Sequence, residues 1–194
     1  MVRNAITQKK SAYRAFIHIA RYLILMAILS FIGWLYETLL VRVRNGVWTD
    51  RGFLFLPFCP IYGVTLIFVY FFIGTPQEKR GILKIIQNPF AHTALYLIFA
   101  FLIPTVAEAL VGAVFEKGFG ISLWSYAALP MNFKGYISLP VSLLWMALIY
   151  IFMRFFFPYL QKITAKIPEK IAITLSIALL FSVIIDAAVQ FIKI

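Results

Sequence analysis

The 194-residue chain is poor in acid, histidine and cysteine. The one cysteine, Cys59, excludes an intrachain disulfide and any multi-cysteine zinc or iron–sulfur site. Charged residues make up 13% of the chain against 63% hydrophobic, where soluble domains carry roughly 25% and 45–50%. A water-soluble domain is thereby excluded. Seven Asp and Glu stand against 18 Lys and Arg, a formal net charge of +11. The bases are spread between apolar runs and form no single stripe, which argues against nucleic acid and for an anionic lipid surface. No Gly-x-x-x-x-Gly-Lys-Ser/Thr loop, nucleophile elbow or His-rich metal spacing occurs, so neither a cofactor nor ATP hydrolysis is expected of this chain.

What is present is long apolar runs. A spanning helix needs about 20 apolar residues, and such runs lie near Tyr22–Val41, Phe53–Gly74, His92–Phe115, Tyr136–Pro158 and Ile171–Ile192. The expected fold is an all-α integral membrane protein, a bundle of about five transmembrane helices. Residues 1–21 read as a basic cytoplasmic or interfacial segment, with Asn4 to Ala20 a candidate short amphipathic helix. Residues 22–194 read as one transmembrane domain. The first run contains Glu37 and lacks a small-residue cleavage site, so it reads as a retained signal anchor. With the N-terminus inside, Lys and Arg divide 12 inside to 6 outside. This predicts a multi-pass cell-membrane protein with a cytoplasmic N-terminus and an outer C-terminus.

Three of the seven acids, Glu37, Glu108 and Asp186, fall inside expected spans. Carboxylates in hydrocarbon are costly and mark bundle interiors, wet cavities or functional sites. From the helical rise, all three are expected roughly 6–10 Å below the outer surface, in one layer. Ser30, Gly33 and Glu37 share a helical face, as do Thr105, Glu108 and Gly112, then Ser138, Ser142 and Trp145, then Ser182, Asp186 and Gln190. These faces are expected to look inward, either as a structural polar network or as a site for a ligand, ion or proton.

The second span is broken by two prolines. In Arg51-Gly52-Phe53-Leu54-Phe55-Leu56-Pro57-Phe58-Cys59-Pro60-Ile61-Tyr62-Gly63 each proline turns its predecessor from helical backbone. A helix from Pro60 to Gly74 reaches only about 22 Å, so the residues before it dip into the membrane as irregular backbone. Pro57, Cys59 and Tyr62 are then expected beside the carboxylates, with Arg51 as counter-ion. The aromatic segment Phe119 to Tyr136, with Lys134 as its only charge, is expected to be interfacial or re-entrant, folding back as a lid. Asn132 and Gly135 are its candidates for turn geometry or direct ligand contact, and Trp124 is a further candidate contact residue.

These motifs carry a resemblance. Gly33-Trp34-Leu35-Tyr36-Glu37, the Arg51-Gly52-Phe53-Leu54 run into Pro57-Phe58-Cys59-Pro60-Ile61-Tyr62-Gly63, Glu108 with Gly112, Trp124-Ser125-Tyr126, and Asn132-Phe133-Lys134-Gly135-Tyr136 resemble the CmpB-type ("type IV") ABC-transporter permease family of bacterial membrane proteins. The resemblance spans about Gly33 to Asp186. It implies a small multispanning transport component. The family typically shows Trp-Asp-Tyr-Ser where this chain has Trp124-Ser125-Tyr126-Ala127, so any role of that Asp is not carried over.

Three functions follow as expectations. The first is a permease-like component whose polar outer-half cavity takes a solute or cation at Glu37, Arg51, Cys59, Tyr62, Glu108, Trp124, Asn132 and Asp186. It would work with a separate ATPase bound to the inner loops Thr75–Ala91 or Pro158–Pro168, and with anionic lipid at the inner face. The second is a membrane-embedded enzyme on lipid or envelope substrates, using carboxylates as acid and base. Against it, His18 and His92 map about 20 Å from the acids, and Cys59 has no histidine beside it. The third is a non-catalytic assembly subunit paired with another membrane protein.

Overall fold

A computed structural model of the chain describes residues 2–49 and 51–193, with side chains from residue 8 onward; Met1, Asp50, Ile194 and the side chain of Arg3 lie outside the description. The described residues fold into α-helices with one small hairpin. The helices are α1 (Val2–Asn45), α2 (Pro60–Ile73), α3 (Pro89–Phe119), α4 (Leu139–Phe155), α5 (Phe157–Ala165) and α6 (Glu169–Ile192). Strands β1 (Asn132–Phe133) and β2 (Ile137–Ser138) pair antiparallel between α3 and α4. A 3₁₀ turn at Gly81–Ile85 precedes α3.

Three helical stretches are long and apolar enough to cross a membrane, namely Gln8–Asn45, Pro89–Phe119 and Glu169–Ile192. The pair α4 and α5, broken at Phe156, adds a fourth if counted as one span. Helix α2 starts at the second proline, and its 14 residues reach about 21 Å against a hydrocarbon core of roughly 30 Å. The expected short amphipathic helix of residues 4–20 is not a separate element. No glycine or proline interrupts the chain before Gly33, so α1 continues unbroken for 44 residues, about 66 Å, well beyond a bilayer core.

The chain divides into two compact units, Met1–Gly63 with Leu160–Lys193, and Val64–Tyr159. In the first, α1 packs along α6. Ala20, Ile24 and Ala172 are buried at the contact, flanked by Ile28, Ile167, Ile173 and Leu179. Small residues there let the backbones approach, the usual solution where lipid offers no hydrophobic drive between helices. Polar ties close the amino-terminal half of the seam. The Tyr13 hydroxyl donates to Glu169 (3.3 Å), Arg21 to the Ile167 carbonyl (2.9 Å) and the Gln161 amide to the Tyr22 hydroxyl (3.0 Å).

In the second unit α3 packs along α4. The buried residues of α3 recur every four, as His92, Tyr96, Ala100, Pro104, Glu108 and Gly112. Asn88 caps the helix by accepting from the Phe90 and Ala91 N–H groups, with Pro89 at the first position, and Gly120 closes it in the left-handed conformation. Between α2 and α3 the Arg80 guanidinium bonds the Tyr70 hydroxyl (2.6 Å) and lies over the Tyr70 ring (4.5 Å to the centroid).

Candidate functional site

In the first unit, glycine spacing builds a charged cluster at the carboxyl-terminal end of α1. Gly33 is buried against the ring of Tyr62, and a Cβ at position 33 would collide with it. That close approach carries the phenol along α1 to the residue four further on, where the Tyr62 hydroxyl donates to Glu37 Oε1 at 2.7 Å. Gly63 makes the same approach one residue later, its Cα side closed by the Met26 carbonyl and the Ser30 hydroxyl. Arg51 Nε lies 3.5 Å from Glu37 Oε2, with side-chain exposures of 33% and 28%. That nitrogen is itself enclosed without a hydrogen-bond partner among the described residues, so the contact is ionic and the donor is not spent.

The irregular segment between α1 and α2 is clasped from both helices. From α6, Asp186 accepts two adjacent backbone N–H groups, Phe55 on Oδ1 (3.2 Å) and Leu56 on Oδ2 (2.7 Å). Phe191 packs on Phe53 (4.8 Å between centroids) and Lys193 lies over the Phe55 ring (4.4 Å). From α1, the Ser30 carbonyl accepts from the Cys59 N–H (3.0 Å). Cys59 is buried with its sulfur 3.9 Å from the Arg51 carbonyl. Backbone amides outside regular structure need partners once removed from water, and here a carboxylate satisfies two of them. Asp186 is 8% exposed. Of the expected inward face of Ser182, Asp186 and Gln190, Asp186 is buried and Gln190 half-buried, whereas Ser182 is exposed and donates to its own helix at Ala178.

In the second unit Glu108, also 8% exposed, accepts on Oε1 from the Tyr126 hydroxyl (3.0 Å) and the Trp145 indole (2.9 Å). The first comes from the segment after α3 and the second from α4, so one carboxylate oxygen ties both to α3. Trp124, expected as a contact residue, and Asn132, expected as a turn or contact residue, hold that segment together. The Trp124 indole donates to the Tyr136 carbonyl (2.9 Å). The Asn132 amide donates to the Ala127 and Leu129 carbonyls (3.1 and 2.8 Å), and its oxygen accepts from the Gly135 N–H (3.3 Å). A side chain with both ends used in this way builds a turn. Tyr126 in the aromatic run and Trp145 on the Ser138 face carry no sequence signal that links either to Glu108, and main-chain amides such as those of Phe55 and Leu56 carry none at all.

A recess of about 60 Å³ in the first unit is lined by Leu23, Met26, Ala27, Phe58, Leu179 and their neighbours, and neither Glu37 nor Asp186 lines it. The three carboxylates thus divide by chemistry. Asp186 is buried with each oxygen accepting from one backbone amide, and Glu108 is buried with Oε1 accepting from two side chains. Glu37 and Arg51 form an ion pair whose side chains remain about a third exposed.

Residues 24–191 match the ABC_trans_CmpB family model, described as "Putative ABC-transporter type IV". The chain belongs to this family. The match includes all of residues 64–159, most of the first unit and every candidate residue from Glu37 to Asp186. Searches of curated proteins and of solved structures returned no match. The family name and the apolar helices make this a membrane protein related to ABC transporters.

Proposed function

We propose that the protein is the membrane-embedded, permease-like component of an ABC-type transport system in the cell membrane, acting with a separate ATPase. The observation that carries the site is the Glu37, Arg51 and Tyr62 cluster. The side chains of its ion pair remain about a third exposed, and the Tyr62 hydroxyl holds Glu37 Oε1 independently of Arg51. A solute carboxylate or phosphate meets Arg51, and a cationic group meets Glu37. Asp186 positions the irregular segment that follows the cluster in the first unit and does not contact the solute. The topology proposed with this reading is a cytoplasmic N-terminus, an outer C-terminus and about five crossings, the second made by α2 and the segment before it. In that topology anionic lipid meets the inner-face lysines and arginines. The ATPase is required because the chain has no phosphate-cradling loop of its own.

The test is thermal unfolding of purified protein against small carboxylates, phosphate, amino acids and monovalent and divalent cations. The reading expects at least one to stabilise the wild type, and Glu37→Gln or Arg51→Gln to abolish that shift while each variant still folds. Equal unfolding temperatures with and without every solute contradict it.

A further inference from the structure

The hairpin between α3 and α4 carries exposed apolar residues along β1, from Met131 just before the strand to Phe133 within it, with Lys134 opening the turn. Met131 is 71% and Phe133 59% exposed, and the Lys134 ammonium sits 5.6 Å from the centre of the Phe133 ring. The tip is not loose chain. Asn132 is bonded at both ends of its amide, the Tyr126 N–H donates to the Gly135 carbonyl (2.8 Å), and Trp124 donates to Tyr136. Met131 and Lys134 hold left-handed backbone, φ 50° and 53°, a conformation non-glycine residues keep only where surrounding structure imposes it. A rigid scaffold therefore presents two bare apolar side chains and one cation together.

We infer that this tip is an interfacial anchor. Met131 and Phe133 enter the upper acyl region of the leaflet at the carboxyl-terminal end of α3, and Lys134 lies on lipid phosphate. Length supports this occupant. Helix α3 has 31 residues, about 46 Å, against roughly 40–45 Å for a bilayer with its headgroups. The opposite end of α3 shows the same signature, with Ile85 79% and Phe90 84% exposed beside the exposed Lys84. Apolar residues with a lysine at both ends of a bilayer-length helix are what two interfaces select. Between the ends, the exposed Leu110 and Val114 of α3 and Leu143 and Leu144 of α4 are apolar, so the tip continues a lipid-facing surface. Tyr126 is bonded to both the hairpin and Glu108, so the anchor and the buried carboxylate belong to one bonded assembly. This inference stands apart from the transport reading, since it needs no solute and no ATPase.

The test is a fluorescent NBD label at Phe133→Cys in a Cys59→Ser background, reconstituted in mixed phosphatidylcholine and phosphatidylglycerol vesicles. Phe133 is exposed, so its loss removes little packing. Met131→Cys is the second site if the first variant fails to fold. The anchor predicts blue-shifted emission, strong quenching by a lipid carrying a shallow nitroxide, and weak quenching by aqueous acrylamide. Free quenching by acrylamide without the lipid effect overturns it by placing the tip in water. Protection from both quenchers overturns it by placing the tip under protein.

Discussion

At the scale of single residues, the rarity of acid in this chain directs attention to three side chains, and their partners separate their roles. Asp186 serves two backbone donors, so Asp186→Ala leaves both N–H groups unmatched, at about 1–3 kcal/mol for each. Asp186→Asn keeps one accepting oxygen and is expected to lose about half as much, measured by thermal unfolding in detergent. Gly33→Ala pushes a methyl group into the Tyr62 ring and is expected to cost about 1–3 kcal/mol, as overpacking does. Tyr62→Phe in the Gly33→Ala background should then cost less than in the wild type, since the hydroxyl is already displaced from Glu37. The carboxylates were legible in the sequence because acids in apolar runs are conspicuous. Their partners were not, because Asp186 is bonded to main-chain amides 131 and 130 residues away, and an amide has no letter. Asn132 was legible as a residue for turn geometry or ligand contact, since asparagine three residues before Gly135 is turn chemistry, and both ends of its amide bond within the turn.

At the scale of elements, punctuation was the most readable signal. Asn88-Pro89 begins α3, Gly120 ends it, and Pro60 begins α2. The inward face assigned to Ser182, Asp186 and Gln190 was less secure, since steps of four advance about 40° around a helix of 3.6 residues per turn. The segment between α3 and α4 depends on Glu108 for its attachment. Glu108→Gln keeps an accepting oxygen for Tyr126 and Trp145 and is expected to leave residues 120–138 protected from hydrogen exchange. Glu108→Leu removes it and should raise exchange there at least tenfold, the equivalent of about 1.4 kcal/mol, with α6 unchanged. Equal exchange in the two variants would show that Glu108 does not hold this segment.

At the scale of the whole molecule, composition placed the chain in a membrane, and family membership gives that placement a transport context. The number of crossings was the least legible property. Helix α2 is too short to span alone, and the break at Phe156 divides another apolar run, so hydropathy counts runs where the chain forms segments of unequal length. The proposed orientation rests on the 12 to 6 division of basic residues and predicts that Trp48→Cys, exposed after α1, reacts in intact cells with a thiol reagent that cannot cross membranes. Reaction only after permeabilisation reverses the orientation. The central claim, a permease-like component lacking its own ATPase, is tested most directly by purifying the native complex from gently solubilised membranes and identifying its chains by mass spectrometry. The account predicts a co-purifying protein with a Gly-x-x-x-x-Gly-Lys-Ser/Thr loop in fixed stoichiometry. Recovery of this chain alone, or only with partners lacking such a loop, would contradict it.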